Sequence, residues 1–265
     1  MPQKRSITLQ KSLDILDVFA RNGTSLAVKE ICQQVGLPES TLYRYVSTLT
    51  QRDFIEYEPS SQKYRLGVKL IKLGDIAARQ LEVRRIAYPV MEELAQRTGE
   101  TVLLTVRRGN SAIVVEAVES GRGGIKLAMN RGDLLPIYSC ALTRPLIAYL
   151  PDEEVDFILR TNPPRRFTPY TTTDLQEIKN ELNKVRRQGY AYSEQELTIG
   201  AGGLGAPVFN HSGDVIGTLC MAGSLHHITK AKIPQFVKIL LKSTKECSLK
   251  MGFKSWVRTE QARKS

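Results

Sequence analysis

Few residues in this chain are suited to binding metal or stapling a fold. Its four cysteines, Cys32, Cys140, Cys220 and Cys247, lie far apart and form no CxxC pair. That spacing argues against a structural zinc site and suits free thiols in a reducing cytoplasm. His226-His227 has the look of a ligand pair, but adjacent residues point apart on a strand or helix, and no third ligand is near in sequence. Long apolar runs are missing too: none reaches the roughly 18 residues of a membrane-spanning helix, so no membrane partner is expected. No apolar segment follows Met1-Pro2-Gln3-Lys4-Arg5, so nothing indicates secretion. No Ser/His/Asp or Cys/His set has supporting spacing, so no catalytic residue, metal or cofactor is expected. Gly200-Ala201-Gly202-Gly203-Leu204-Gly205 matches GxGxxG literally. A dinucleotide fingerprint needs a helix after it, and here Ala206-Pro207-Val208-Phe209 reads as strand.

Acidic residues are in short supply. Against 38 Lys and Arg stand 27 Asp and Glu, a net charge of +11, which favours a polyanionic partner. The 265 residues suffice for two domains, a small one and a larger one with its own core.

The N-terminal quarter shows what the polyanion is. Leu9, Leu13, Leu16 and Phe19 recur with the period of one helix face, and Asn22-Gly23-Thr24-Ser25 reads as a turn. Val28–Val35 is a short second helix with Ile31, Cys32 and Val35 inward, and Gly36 is placed to end it in a left-handed conformation. Pro38 fits the first turn of a third helix, which buries Leu42, Val46 and Leu49. That leaves Ser40, Thr41, Tyr43, Arg44, Ser47 and Thr48 outside, a polar and cationic face suited to DNA. Short hydroxyls near a helix start bind phosphates, and the Arg44 fork reaches guanine O6 and N7 in the major groove. A hairpin follows, Ile55 and Tyr57 facing Tyr64 and Leu66 across a turn at 59–62, with Lys63 and Arg65 on the wing near the flanking backbone. Two helices, a glycine turn, a polar third helix and a hairpin spell a winged helix-turn-helix. Two rivals stand beside it: a winged helix that binds protein, and a small-molecule enzyme carrying a DNA-targeting appendage.

Past the hairpin, 68–76 is helical in pattern and too apolar for a free linker. The chain at this point resembles the IclR family of bacterial transcriptional regulators, over about residues 6–252. The landmarks are Gly-Leu-Pro-x-Ser-Thr-x-x-Arg at 36–44, Tyr-x-Leu-Gly at 64–67, Arg131-Gly132-x-x-x-Pro136 and Ser139-Cys140-Ala141-Leu142. Gly189-Tyr190-Ala191, Glu196, Gly200 and Ala206-Pro207-Val208 complete them. The resemblance implies a multidomain α/β protein: a winged helix-turn-helix at 1–67, a linker helix at 68–83, a GAF-like effector-binding domain at 84–252 and a basic tail at 253–265. It implies four partners: operator DNA, a small organic effector (often a carboxylate or aromatic acid), a second copy in a dimer or dimer of dimers, and RNA polymerase.

Residue patterns alone support an α/β second half. Helices are expected at about 83–97, 139–149, 174–187 and 233–251, and strands at 101–106, 112–118, 190–194, 204–209 and 214–222, in one antiparallel sheet. The resemblance places one wall of the effector pocket after Pro136, at Tyr138, Cys140, Ala141 and Leu142. Ser193 and Glu196 follow the Gly-Tyr-Ala segment, Gly202 and Gly203 come from a glycine loop, and Met129, Leu135 and Cys220 are apolar lining. The competing account makes most of these plain core. Where the family usually has His-Ala-Ser and Gly-Lys-Ala, this chain has Tyr138-Ser139-Cys140 and Thr143-Arg144-Pro145, so Tyr138 is expected to add a ring and a hydroxyl. The glycine loop is expected to hold an anionic ligand through backbone N–H groups.

Overall fold

A computed structural model describes residues 6–22, 25–79, 81–119 and 129–254. Met1–Arg5, the Gly23-Thr24 part of the expected turn and tail residues 255–265 lie outside them. The chain divides into two compact units, Met1–Gln80 and Leu81–Ser265.

The first unit runs α1 (Ile7–Asn22), α2 (Val28–Val35), α3 (Glu39–Gln51), β1 (Ile55–Glu58), β2 (Lys63–Leu66) and α4 (Lys69–Arg79). Gly36 ends α2 at φ 68°, and its N–H donates to the Cys32 carbonyl. Glu30 reaches back to accept from the Ala27 N–H at 2.7 Å, closing the helix start. Pro38 stands as the N-cap of α3, one residue before its first turn. Gly67 ends the hairpin where a Cβ would overlap the Asp53 carbonyl, so the close approach of β2 to the end of α3 admits only glycine.

One expectation fails in α1. Leu9 and Leu13 are exposed, while Ile15, Val18 and Phe19 fill the core with Ile31, Leu42, Val46 and Ile55. At about 100° per residue the Leu9/Leu13/Leu16 stripe lies on a different side of the helix from Ile15/Val18/Phe19. The helix carries two apolar stripes, and periodicity alone cannot say which is buried. The expected linker helix over 68–83 is also shorter. Helix α4 ends at Arg79, and Glu82 begins the next helix behind Leu81 as N-cap.

The second unit runs α5 (Glu82–Thr98), β3 (Thr101–Arg108), β4 (Ser111–Val118), β5 (Leu134–Pro136), α6 (Pro145–Ala148) and α7 (Asp152–Thr161). It continues with α8 (Leu175–Gln188), β6 (Ala191–Glu194), β7 (Ala201–Phe209), β8 (Val215–Ser224) and α9 (Ile233–Lys250). One antiparallel sheet has the order β5-β4-β3-β8-β7-β6. Val102, Leu104, Leu204, Ala206, Val208, Leu219 and Met221 join α5 and α9 in one core. Leu103 and Cys220, on the opposite side by strand alternation, pack with Cys140 and Leu142. Ile137, Tyr138 and Ala141 join α6, α7 and α8 in a further core.

Two corrections follow. Residues 139–144 are turns and only Pro145–Ala148 is helical, consistent with a proline that has no N–H to give a continuous helix. The expected glycine loop is the first half of strand β7, paired on both sides: Gly202 and Gly203 lie opposite Glu194 and Ser193 in β6 and opposite Gly223 and Ala222 in β8.

Candidate functional site

On the first unit, the face of α3 turned from the core carries Ser40, Tyr43, Arg44, Ser47 and Thr48, all exposed, with Thr41 half-buried. The cause is spacing: Leu42, Val46 and Leu49 are the buried residues of α3, so positions between them must face outward. The Thr48 hydroxyl donates to the Arg44 carbonyl at 3.0 Å, and among the described residues no hydrogen bond or ion pair engages the Arg44 guanidinium. The wing differs. Arg65 pairs with Glu56 at 3.0 Å, and Lys63 stands opposite Glu58 in the strand register.

On the second unit, the 138–145 turns lie against the sheet because Gly205 has no side chain: a Cβ there would overlap the Ala141 carbonyl. Two polar contacts hold the approach. The Ala141 N–H donates to the Ser193 hydroxyl at 3.0 Å, and the Thr105 hydroxyl donates to the Leu142 carbonyl at 2.6 Å. Opposite, the 195–200 turn is pinned by Thr168 and Thr171, whose hydroxyls donate to the carbonyls of Gln195 and Glu196.

Between these turns lies a narrow, partly open cleft with a cavity volume of about 30 Å³. Met129, Cys140, Leu142, Ser193, Glu196, Gly202 and Gly203 line it, all expected from the sequence. Gln195, Leu197, Thr198, Ala201 and Ala222 line it as well and were missed. Their only signal was closeness in sequence to Glu196 and Gly202; Gln195 faces the cleft from a left-handed conformation, φ 58°, that no pattern announces.

Four expected residues are elsewhere. Tyr138 is buried against α6–α8; its hydroxyl donates to the Pro163 carbonyl and accepts from the Arg165 N–H, so it offers the cleft neither ring nor hydroxyl. Ala141 packs in that same core, Leu135 is partly buried against it, and Cys220 lies in the layer with Cys140 and Leu142. The backbone anion cradle is not formed, because the N–H groups of a strand flanked on both sides serve its ladder.

The strongest polar contact here joins Arg144 to Glu196. Their side chains are 3% and 8% exposed, and Nη1 and Nη2 reach the two carboxylate oxygens at 2.8 and 2.5 Å. Arg144 also donates from Nε to the Tyr138 carbonyl at 3.2 Å. Glu196 therefore borders the cleft as half of a neutralised pair. Burial pushes the Cys140 thiol above its ordinary pKa and the Cys220 thiol well above, so each is a soft apolar group and not a nucleophile. Among the described residues, the neutral donors bordering the cleft that no hydrogen bond uses include the Gln195 amide nitrogen, the Thr198 hydroxyl and the Ser193 hydroxyl hydrogen. The described residues contain no metal-binding cluster and no helix long and apolar enough to cross a membrane.

Known proteins match both units. The description "Bacterial transcriptional regulator IclR C-terminal" covers residues 76–249, and "IclR helix-turn-helix domain" covers residues 8–59. The HTH-type transcriptional regulator KipR of Bacillus subtilis is 31% identical over 251 residues, 95% of this chain and 99% of that protein. A crystal structure of an IclR transcriptional regulator from Alicyclobacillus acidocaldarius matches with TM-score 0.82 at 29% identity, over 92% of this chain and 98% of that one. An IclR homolog from Microbacterium hydrocarbonoxydans, crystallised with 4-hydroxybenzoate, has the same fold (TM-score 0.80, 24% identity, 92% of this chain and 98% of that one).

Proposed function

Because the chain belongs to the IclR family and is a bacterial transcriptional regulator, not an enzyme, we propose that α3 enters the major groove of its operator. In this reading Arg44 addresses a base edge, and Ser40, Thr41, Ser47 and Thr48 hold phosphates. The observation carrying it is the exposed polar face of α3, where no hydrogen bond or ion pair among the described residues engages the Arg44 guanidinium. Exposed apolar residues on two helices of the first unit, Leu9 and Leu13 on α1 and Ile71, Leu73 and Ile76 on α4, support a homodimer. Two-fold symmetry then calls for a pseudo-palindromic operator with half-sites about 34 Å apart or a multiple of that.

The narrow cleft between the 138–145 and 195–200 turns is the seat of the effector, and it must widen to admit one. Its apolar lining of Met129, Leu142, Leu197 and Ala222 takes the body of a small organic molecule. Gln195, Thr198 and Ser193 hold a hydrogen-bond acceptor at its end. A hydroxylated aromatic acid such as the 4-hydroxybenzoate bound by the M. hydrocarbonoxydans homolog has that composition. Binding there regulates DNA affinity only through a difference in affinity between DNA-competent and DNA-incompetent states.

A thermal-shift screen of small carboxylic and aromatic acids, followed by gel shift with the hits, tests both halves. A ligand of the folded state raises the melting temperature in proportion to ln(1 + [L]/Kd). A hit that protects the Gly203→Val variant as well as the parent would place the effector outside this cleft.

A further inference from the structure

The hairpin of the first unit has two unlike faces. Antiparallel register puts Glu56 with Arg65 and Glu58 with Lys63 on one, and Ile55 with Leu66 and Tyr57 with Tyr64 on the other. On the charged face Glu56 accepts from Arg65 and from the Val68 N–H, while Glu58 accepts from the Ser61 hydroxyl and stands opposite Lys63 in the register. The other face meets the helices, since Ile55 is fully buried with Leu42 and Val46 of α3. Toward the hairpin tip that cover ends. Tyr57 is 45% exposed, its ring centroid 5.0 Å from that of Tyr64.

Tyr43, on the outward face of α3, is 50% exposed. It stands near the same pair: burial first, then Tyr43 and Tyr57, raise the Tyr64 phenol above its ordinary pKa. Among the described residues no hydrogen bond engages the hydroxyl of Tyr43, Tyr57 or Tyr64. Three uncharged donors thus continue the outward face of α3 onto the wing.

We propose that this strip, Tyr43 with Tyr57 and Tyr64, is the surface by which the wing meets the DNA backbone, the phenols donating to phosphate oxygens. It rests on α3 being the recognition helix, and it sets Lys63 and Arg65 aside as wing contacts. Neutral donors displace no counterions, so the wing adds affinity that salt does not screen away. Rings with two side-chain torsions lose little freedom when they dock.

The test uses the full-length chain, a duplex it enriches from a random-sequence library, and a mixed-sequence duplex of equal length. Dissociation constants are read by fluorescence anisotropy from about 50 to 200 mM salt. Tyr57→Phe keeps the ring on Tyr64 and removes only the hydroxyl. It is expected to weaken both duplexes roughly three- to tenfold, the loss of one hydrogen bond, with an unchanged salt slope and melting temperature. Lys63→Ala and Arg65→Ala are expected to leave that slope unchanged. The proposal is overturned if Tyr57→Phe binds like the parent, even where Tyr57→Ala is weakened, since the ring alone would then matter. It is equally overturned if Lys63→Ala or Arg65→Ala lowers the slope by about 0.9, the signature of a lost phosphate contact. A parent chain whose DNA affinity did not fall with salt would remove the recognition-helix reading itself, a failure visible before any variant is made.

Discussion

The two units prepare their polar groups in opposite ways. On α3 all but one of the side chains proposed to meet DNA are exposed, and among the described residues nothing pairs with the Arg44 guanidinium. Around the cleft the strong polar groups are already committed: Arg144 to Glu196, Ala141 to Ser193, Thr105 to Leu142. A surface that must meet a polyanion gains from keeping charges in water, where holding them ready costs little. A cleft inside a core cannot keep an unpaired charge, because desolvation would cost several kcal/mol, so it pairs the charges and leaves neutral donors for a ligand. Recognition is available on one unit and built from satisfied groups on the other.

The sharpest way to break that contrast is to strip one partner from the buried pair. Arg144→Ala leaves Glu196 buried and uncompensated and should cost about 3–5 kcal/mol in denaturant unfolding. A loss below about 1 kcal/mol would mean that water reaches the Arg144–Glu196 pair despite its burial. Next in size is the apolar stripe of α1. Leu13→Lys should cost a homodimer roughly 2 kcal/mol or more, since each site counts twice, and shift the sedimentation profile toward monomer. An unchanged profile would assign that stripe no part in assembly. On the DNA face, Arg44→Ala should weaken operator binding by about 1–3 kcal/mol and flatten preference between sequences, with no change in melting temperature. Unchanged affinity and preference in gel shifts would mean that α3 is turned another way. The smallest effect on stability belongs to Gly203→Ala. Its Cβ would sit 3.5 Å from Leu142, an ordinary contact that narrows the cleft. Stability should change by less than about 1 kcal/mol, while the thermal shift from an effector falls sharply. An undiminished shift would sharpen the contrast differently, moving the ligand off the β7 floor.

How much was legible follows the distance over which each feature is decided. The α2 span Val28–Val35, the Gly36 stop and the Ile55–Leu66 and Tyr57–Tyr64 pairings were readable because capping and alternation act over a few residues. Cleft residues near sequence landmarks, such as Cys140, Ser193 and Glu196, were readable from the family resemblance. Tyr138 was misplaced because one turn of chain separates a cleft wall from the core behind it, and the Pro163 carbonyl and Arg165 N–H that hold its hydroxyl lie more than twenty residues on. The glycines at 202–205 looked like a loop because glycine is poor in strands. Here small size is what the strand needs, with the Ala141 carbonyl against Gly205 and the Leu225 side chain against Gly202.

The amino-acid sequence by itself determined the kind of protein this is: a basic chain whose short-range periodicities build a helix-turn-helix with a wing, joined to an α/β domain. Turns, caps and alternating strands are local, and local rules suffice to read them. Only the tertiary structure decided which stripe of α1 is buried, which hairpin face looks toward α3, and which side chains border the cleft. Those outcomes depend on what stands opposite each residue, and the opposing atoms come from segments as far apart as Arg144 and Glu196.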